Sequence, residues 1–468
     1  MLFFSHCRPT FLYGKMIICY RRFFMNVTGV IAEYNPFHNG HLYHLRESAR
    51  LTESDYIIVV ISGNFVQRGA PALADKRIRT QAALCCGADL VLELPTLYAA
   101  SSAEYFATGA VALLDRLNVV THLCFGSEWG DDVVLRQIAE ILCHEPAWYR
   151  SALQASLRQG FPYPAARVRA LKESGNPALP GDCAAILSSP NNILGIEYIR
   201  ALYRRNSPIC PVTFRRTGAG YHDIVLPEIS DLPHSDVGPE NALSGQKGGK
   251  HASAPSAVEY TCSALSLRQA LYQGKKLTDL SPYMPPEAVS LLTEYLQTHR
   301  PLRSDDFSSV LYYKLIAEKE SGYAKYLDVS PELSDRIRKH LRFYTGFEAF
   351  CDLLKTKNMT HTRISRSLLH ILLGMEKKDL ELGKEADYVP YARVLGFRRQ
   401  AAPLLRAIRQ RSCLPFVTGL ANARKEMSPE AERLMRLDIL ASELYRNLAR
   451  ADAGRPILNE ISTPPVML

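Results

Sequence analysis

Four short apolar runs, each of the kind that makes a strand, are separated by segments of helical periodicity in the first third of the chain, and this alternation restricts the possible folds. The runs are Val27 to Ala32, Tyr56 to Ser62, Leu90 to Leu94 and Val119 to Phe125. Between them, apolar positions recur at helical spacing in Leu42 to Leu51, Asp75 to Cys86 and Ala103 to Leu117. Near-continuous Val, Ile and Leu, rather than strict alternation, suits strands covered on both faces, so the pattern predicts βαβ units and a buried parallel sheet. Ligands of open α/β sheets bind beyond the carboxyl ends of the strands. The chemically conspicuous residues fall there: His38 and His41 after the first run, Asn64 and Arg68 after the second, Pro95 after the third, and Gly126 to Glu128 after the fourth.

The 468 residues, 47% of them hydrophobic, can fill more than one core. The α/β pattern is assigned to residues 25–277, with a flexible surface loop over 231–258 where Gly, Ser, Pro, His and Lys dominate. Within that part Asn191 to Arg204 has helical periodicity and Ile209 to Phe214 reads as a further strand. From residue 278 to 468 amphipathic helices prevail, including Phe307 to Lys319, Pro331 to Arg342, Ile364 to Leu373 and Ala431 to Ala449, with room for a strand or extended segment near Tyr391 to Phe416. Residues 1–24 mix apolar and basic side chains and are expected to be a start-site extension or disordered. No run approaches the ~18 apolar residues of a membrane span. Eleven cysteines without C-x-x-C or Cys/His ligand spacing suit reduced thiols in a cytoplasm, and no metal site is expected. A net charge of +9 mildly favours a polyanionic partner, although solubility would explain it equally well.

The run Gly29 to Ala32 leads into Glu33-Tyr34-Asn35-Pro36-Phe37-His38-Asn39-Gly40-His41, an H-x-G-H at the start of a helix. Unpaired N–H groups of a first helical turn favour an anion, glycine permits close approach to the backbone, and imidazoles can donate hydrogen bonds to oxygens that gain charge. A single histidine is more often an ordinary surface or core residue; the pair gains weight from its place between strand and helix. The loop Ser62 to Gly69, with two glycines and Arg68, has the composition of an anion grip, with a structural turn as the plain alternative. Lys355, Lys357, Arg363 and Arg366 form a basic, hydroxyl-rich approach to an apolar helix that suits a phosphodiester backbone, extended by Arg393, Arg398 and Arg399.

NPFHNGH resembles the HIGH-type signature of nucleotidyltransferases and class I synthetases. EYNPFHNGHLYH, SGNFVQRGAPALADKRIRTQAALCCGADLVLELP, CFGSE, SPNNILGIEYI and RRTGAGYHD follow in the order found in bacterial tRNA(Met) cytidine acetate ligases, a resemblance that covers most of the chain from Met25 on. It implies an α/β nucleotidyltransferase-like parallel-sheet domain followed by an α-helical domain that contacts tRNA. It further implies that acetate is activated by ATP, with Mg²⁺, as acetyl-adenylate, and that the acetyl group passes to N4 of the wobble cytidine of elongator tRNA(Met). His38, His41 and Arg68 are then the expected catalytic residues. The expected ATP contacts are Ile31, Ala32, Glu33, Tyr34, Asn35, Pro36, Phe37, Asn39, Gly40, Leu42, Tyr43 and His44 around the histidines, with Gly126, Asn191 or Asn192, and Arg215 or Arg216. Lys76, Ser263, Ser266 and Arg268 are further candidates for phosphate; Leu265 departs from the S-S-T-x-I-R-like pattern of related nucleotidyltransferases. No protein partner is implied. Two other readings remain: a nucleotidyltransferase for a small phosphorylated metabolite, or an RNA-binding protein with a vestigial ATP site.

Overall fold

The computed structural model describes residues 25–173, 183–216, 262–423, 427–451 and 459–468. Residues 1–24 and the 231–258 loop lie outside the described residues. The strands are β1 (Val27–Ala32), β2 (Tyr56–Ser62), β3 (Leu90–Leu94), β4 (His122–Ser127), β5 (Cys210–Arg215), β6 (Ala392–Phe397), β7 (Phe416–Val417) and β8 (Val466–Met467). They form one sheet in the order β5-β4-β1-β2-β3-β6-β7, with β8 also paired to β6. β1 to β5 are mutually parallel; β6 runs antiparallel to β3.

The period of two along the buried strands sends alternate side chains to two apolar layers. Ile58 and Val60 of β2 join Leu90, Leu92 and Leu94 of β3 on the side of the helix Ala103–Arg116. Val59, Ile61 and Val91 point to the other side, beneath α1 (Asn39–Thr52) and α2 (Lys76–Cys85). β4 begins later than the apolar run suggested. Asn118 takes a left-handed conformation (φ 54°) there, and Val119 and Val120 are buried in the approach.

Strand succession proceeds from β1 through β2 to β3 in one direction and to β4 and β5 in the other. The order therefore reverses between β1 and β4, and the carboxyl ends of those two strands frame the crevice where such sheets bind ligands. His38 follows β1, and Gly126 lies near the end of β4.

The C-terminal part, expected from residue 278 to be mainly helical, also supplies β6, β7 and β8 to the same sheet. Its last long helix, Pro429–Ala449, closes over a buried charge cluster. There Lys76 Nζ meets Glu93 Oε1 at 2.7 Å, Ser442 Oγ at 2.8 Å and Glu460 Oε1 at 2.6 Å. Arg393 joins Glu93 and Glu460, and Arg446 pairs with Glu460 and with Asp75. Burial opposes ionisation of Glu460, but Lys76, Arg393 and Arg446 hold it down at about 2. Two expectations are corrected here. Lys76, 1% exposed, does not face a triphosphate, and Arg393 does not extend a basic surface; each is held by buried carboxylates.

Candidate active site

A cleft of about 490 Å³ opens at the β1/β4 crevice. Its floor is the end of β1 and the following turn, Ile31 to Asn35, and His38, His41 and His44 project into it. Successive intervals of three residues place these histidines on one face of the first turns of α1. The remaining residues of the run shape the turn and are not part of the cleft wall. Phe37 packs on Tyr34 with ring centroids 4.7 Å apart, Asn39 Nδ2 donates to the Pro282 carbonyl at 2.9 Å, and Tyr43 meets Phe214 edge-on. Pro36 and Leu42 likewise lie outside the lining, and Gly40 acts through what it lacks: a β-carbon there would stand 2.8 Å from His38 Cε1.

The protonation of the pair follows from its hydrogen bonds. Gly40 N–H donates to His38 Nδ1 at 3.0 Å, and His38 N–H donates to His41 Nδ1 at 3.3 Å, a reciprocal cap on α1. With Nδ1 accepting in both rings, each neutral imidazole must carry its proton on Nε2. The rings lie 3.8 Å apart between centroids. Burial, with Arg216 and Arg268 nearby, lowers His38 to about 3, and burial together with His38, Arg216 and His44 holds His41 well below its ordinary value. His44, lowered to about 4 mainly by burial, is bound through Nε2 to the Cys124 carbonyl at 3.2 Å. The site thus offers two neutral N–H donors, whose charge state is constant through the physiological range.

Arg68, Arg216 and Arg268 line the same cleft. The Arg68 loop is tied to β1 by Glu33, which accepts from Gln67 N–H at 2.9 Å. It is tied to the C-terminal part through Gly69, whose carbonyl accepts from Ser365 Oγ at 3.1 Å. Arg268 Nη1 donates to the Asn35 carbonyl at 2.5 Å. The end of β5 separates the two candidate arginines, Arg215 as its last residue and Arg216 just beyond it. Arg215 turns to stand over Gly130, and Arg216 turns into the cleft. A β-carbon on Gly126 would come within 2.9 Å of Arg216 Cγ, so this glycine makes room for the arginine as well as for any guest.

The asparagines divide in the same way. Glu128 caps the helix Pro190–Arg205, accepting from Asn191 Nδ2 at 2.7 Å and from Asn192 N–H at 2.9 Å. Asn191 faces the cleft; Asn192 is buried and accepts from Trp129 N–H at 3.1 Å. Ser263 lines the cleft and caps the helix Ala264–Tyr272, while Ser266 is buried with its hydroxyl donating to the Ser263 carbonyl at 2.8 Å. Ser266, Asn192 and Lys76 are therefore corrected to structural roles, and Arg215 is corrected to an exposed residue outside the cleft lining.

Two sets of lining residues escaped the sequence reading. Phe106, Phe125, Leu194 and Tyr198 make an apolar wall; the spacing of Asn191, Leu194 and Tyr198 on one helix face was a usable signal. Arg303, Ser304, Asp305 and Glu348 form a rim contributed by the C-terminal part, which only tertiary contact could reveal. Of the basic stretch, Lys355, Lys357 and Arg363 are exposed. Arg366 is half-buried and paired with Asp328 at 3.2 Å, so it is corrected to a structural ion pair. His361, at the head of the helix His361–Leu373, pairs with Glu348 at 3.1 Å, which places this basic stretch beside the rim. Among the described residues, no group of three or more His, Cys, Asp or Glu side chains could hold a metal ion.

A family model described as HIGH Nucleotidyl Transferase matches residues 25–230 and 246–456. The chain belongs to the HIGH nucleotidyl transferase family. Within it, the chain is similar to the tRNA(Met) cytidine acetate ligase of Acetivibrio thermocellus, 38% identical over 93% of this chain and 99% of that one. The corresponding ligase of Thermoanaerobacter sp. is also 38% identical, over 90% of this chain and 95% of that one. Among solved structures, Thermotoga maritima TmcAL bound with alpha-thio ATP superposes with a TM-score of 0.80 at 28% identity, over 95% of this chain and 99% of that one. Its apo form gives 0.81 at 29% identity, over 95% and 100%. These likenesses support the HIGH nucleotidyl transferase's α/β sheet followed by a helical part.

Proposed function

We propose that this chain is an ATP-dependent tRNA(Met) cytidine acetate ligase. The observation that carries the reading is the pair of neutral imidazoles, each with its proton on Nε2, lining a cleft with three arginines at the carboxyl end of β1. Such preorganised donors stabilise charge that develops on phosphate oxygens without needing to reorganise. In the proposed sequence an acetate oxygen attacks the α-phosphorus of ATP, the α–β bridging bond breaks, and pyrophosphate leaves with the electron pair. His38 and His41 hold α-phosphate oxygens; Arg68, Arg216 and Arg268 take the departing charge. Gly126 and Asn191 border the nucleoside. N4 of the wobble cytidine of elongator tRNA(Met) then attacks the acetyl carbon, AMP leaves and N4 loses a proton. Lys355, Lys357 and Arg363 contact the tRNA.

Mg²⁺ would come with the triphosphate. The described cleft has no three-ligand cluster for it, and no step is assigned to it. Among the described residues no helix is long and apolar enough to cross a membrane. A cytoplasmic setting, where tRNA and reduced thiols occur, is part of the proposal. The test is acetate-dependent exchange of labelled pyrophosphate into ATP, followed by transfer of labelled acetate to tRNA(Met). Exchange without transfer to any tRNA would leave a carboxylate-activating nucleotidyltransferase; binding of tRNA without exchange would leave an RNA-binding protein.

A further inference from the structure

A second basic surface lies on the helical part, on and after the helix Pro331–His340, whose Arg336 donates to the Leu353 and Leu354 carbonyls just before Lys355. A groove of about 460 Å³ is lined by Lys319, Arg338, Lys339 and Arg342 together with Tyr312, Ile316 and Leu341, and none of its lining residues is acidic. All four cations are exposed. Asp335 lies 3.7 Å from Arg338, and of the acids flanking Lys319 in the chain Glu318 is engaged by Lys314 and Lys325. Around the groove stand the most exposed aromatic side chains of this region: Tyr313 is 69% exposed and Phe343 53%. Arg342 lies over the Phe343 ring at 4.6 Å, and Tyr312, which lines the groove, stacks on Tyr344 at 5.2 Å, so flat rings are held beside the cations.

We infer that this groove receives the sugar-phosphate backbone and an unpaired base of the tRNA substrate, an inference that rests on the function proposed above. Cations paired with accessible rings match the two things that single-stranded RNA loops present, phosphate and exposed base faces. A second copy of this chain fits poorly. A twofold contact would set the same patch against itself and bring four cations onto four cations. The position also suits one continuous substrate. Ser304 and Asp305 line the catalytic cleft, and the helix Ser308–Ala317 leads from them to Tyr312 and Ile316, a rise of about 12 Å from Ser308 to Ile316 at about 1.5 Å per residue. Tyr344 OH and Ser308 Oγ fasten that helix to the chain approaching Glu348, giving the groove and the rim a shared rigid support.

The test uses the full chain and a tRNA(Met) transcript. Lys339→Glu/Arg342→Glu and the milder Lys339→Gln/Arg342→Gln are compared with wild type for tRNA affinity at several salt concentrations and for acetate-dependent ATP:pyrophosphate exchange. Affinity should fall at least about tenfold in the reversal variant and the salt dependence should flatten by roughly 1.5–2 in log–log slope, with exchange unchanged. Unaltered tRNA affinity and salt slope in both variants, with exchange intact, would overturn the assignment. So would a change of sedimentation confined to the variants without loss of tRNA binding, which would make this face a contact between copies. Absence of exchange in wild type would instead refute the proposed ligase activity, and the groove would still be judged by the binding data.

Discussion

His41→Asn separates the two things that His41 does. Asparagine Oδ1 occupies nearly the position of the imidazole Nδ1, so it can still accept from His38 N–H, a bond of 3.3 Å in the native site. The Nε2–H donor is lost. Removal of one preorganised donor to developing charge slows reaction by about 10²–10³, equivalent to ~3–4 kcal/mol at the transition state. Acetate-dependent exchange should fall by that factor with little change in the melting temperature, whereas His41→Ala also removes the cap and should lower both. The pH profile supplies an independent reading. Because burial and the nearby arginines lower His38 to about 3 and hold His41 well below its usual value, exchange measured as kcat/KM at low ATP, which reports the free enzyme, should not inflect from this pair between about pH 5.5 and 8. Stability behaves otherwise. Below about pH 6.5 the unfolded chain takes up a proton that folded His38 refuses, so His38 alone subtracts ~1.4 kcal/mol per pH unit until its folded pKa is reached. Acid loss of exchange should therefore track unfolding. A wild-type inflection near 6.5 that disappears in His41→Asn, or exchange in His41→Asn within threefold of wild type, would refute the neutral-donor mechanism.

Gly69 has φ +77°, and a β-carbon would lie 2.6 Å from Arg366 N. Gly69→Ala should cost at least ~1–2 kcal/mol for the left-handed conformation, lower the melting temperature and raise the KM for ATP by displacing Arg68; an unchanged melt would contradict the packing. Lys76→Met leaves Glu93 and Glu460 buried without their ammonium partner and should cost ~3–5 kcal/mol in denaturant unfolding. A raised KM for ATP without destabilisation would return Lys76 to the phosphate site. Asn191→Ala should weaken ATP binding and lower the melt only modestly through the lost bond to Glu128, and Asn192→Ala should lose ~1–3 kcal/mol of stability through the orphaned Trp129 N–H. The reverse assignment in a melt and an exchange assay would exchange their roles. Lys357→Glu/Arg363→Glu should weaken tRNA binding and flatten its salt dependence, with exchange retained; equal affinity would clear this stretch.

Much of the α/β half was legible because its signals are local. β1, β2 and β3 coincide with the apolar runs, since a strand covered on both faces must be apolar throughout. The histidine pair was legible for a similar reason: strand, turn, glycine and helix cap are contiguous. The less legible residues are those whose role depends on direction. Lys76 and Arg393 look like surface cations in sequence, and only the approach of Glu93, Glu460 and the helix Pro429–Ala449 turns them inward. Adjacent candidates, Asn191 with Asn192 and Arg215 with Arg216, could not be separated without helix rotation and the end of β5.

The sequence alone determined the parallel strands, the place of the H-x-G-H turn between strand and helix, and the family to which they belong, because each is encoded within a few tens of contiguous residues. Tertiary structure decided which cations meet the cleft, how β6, β7 and β8 complete the sheet, and where Glu348 and Asp305 close the rim. Those outcomes depend on contacts between residues hundreds of positions apart, where burial and charge pairing, rather than local propensity, select the partner.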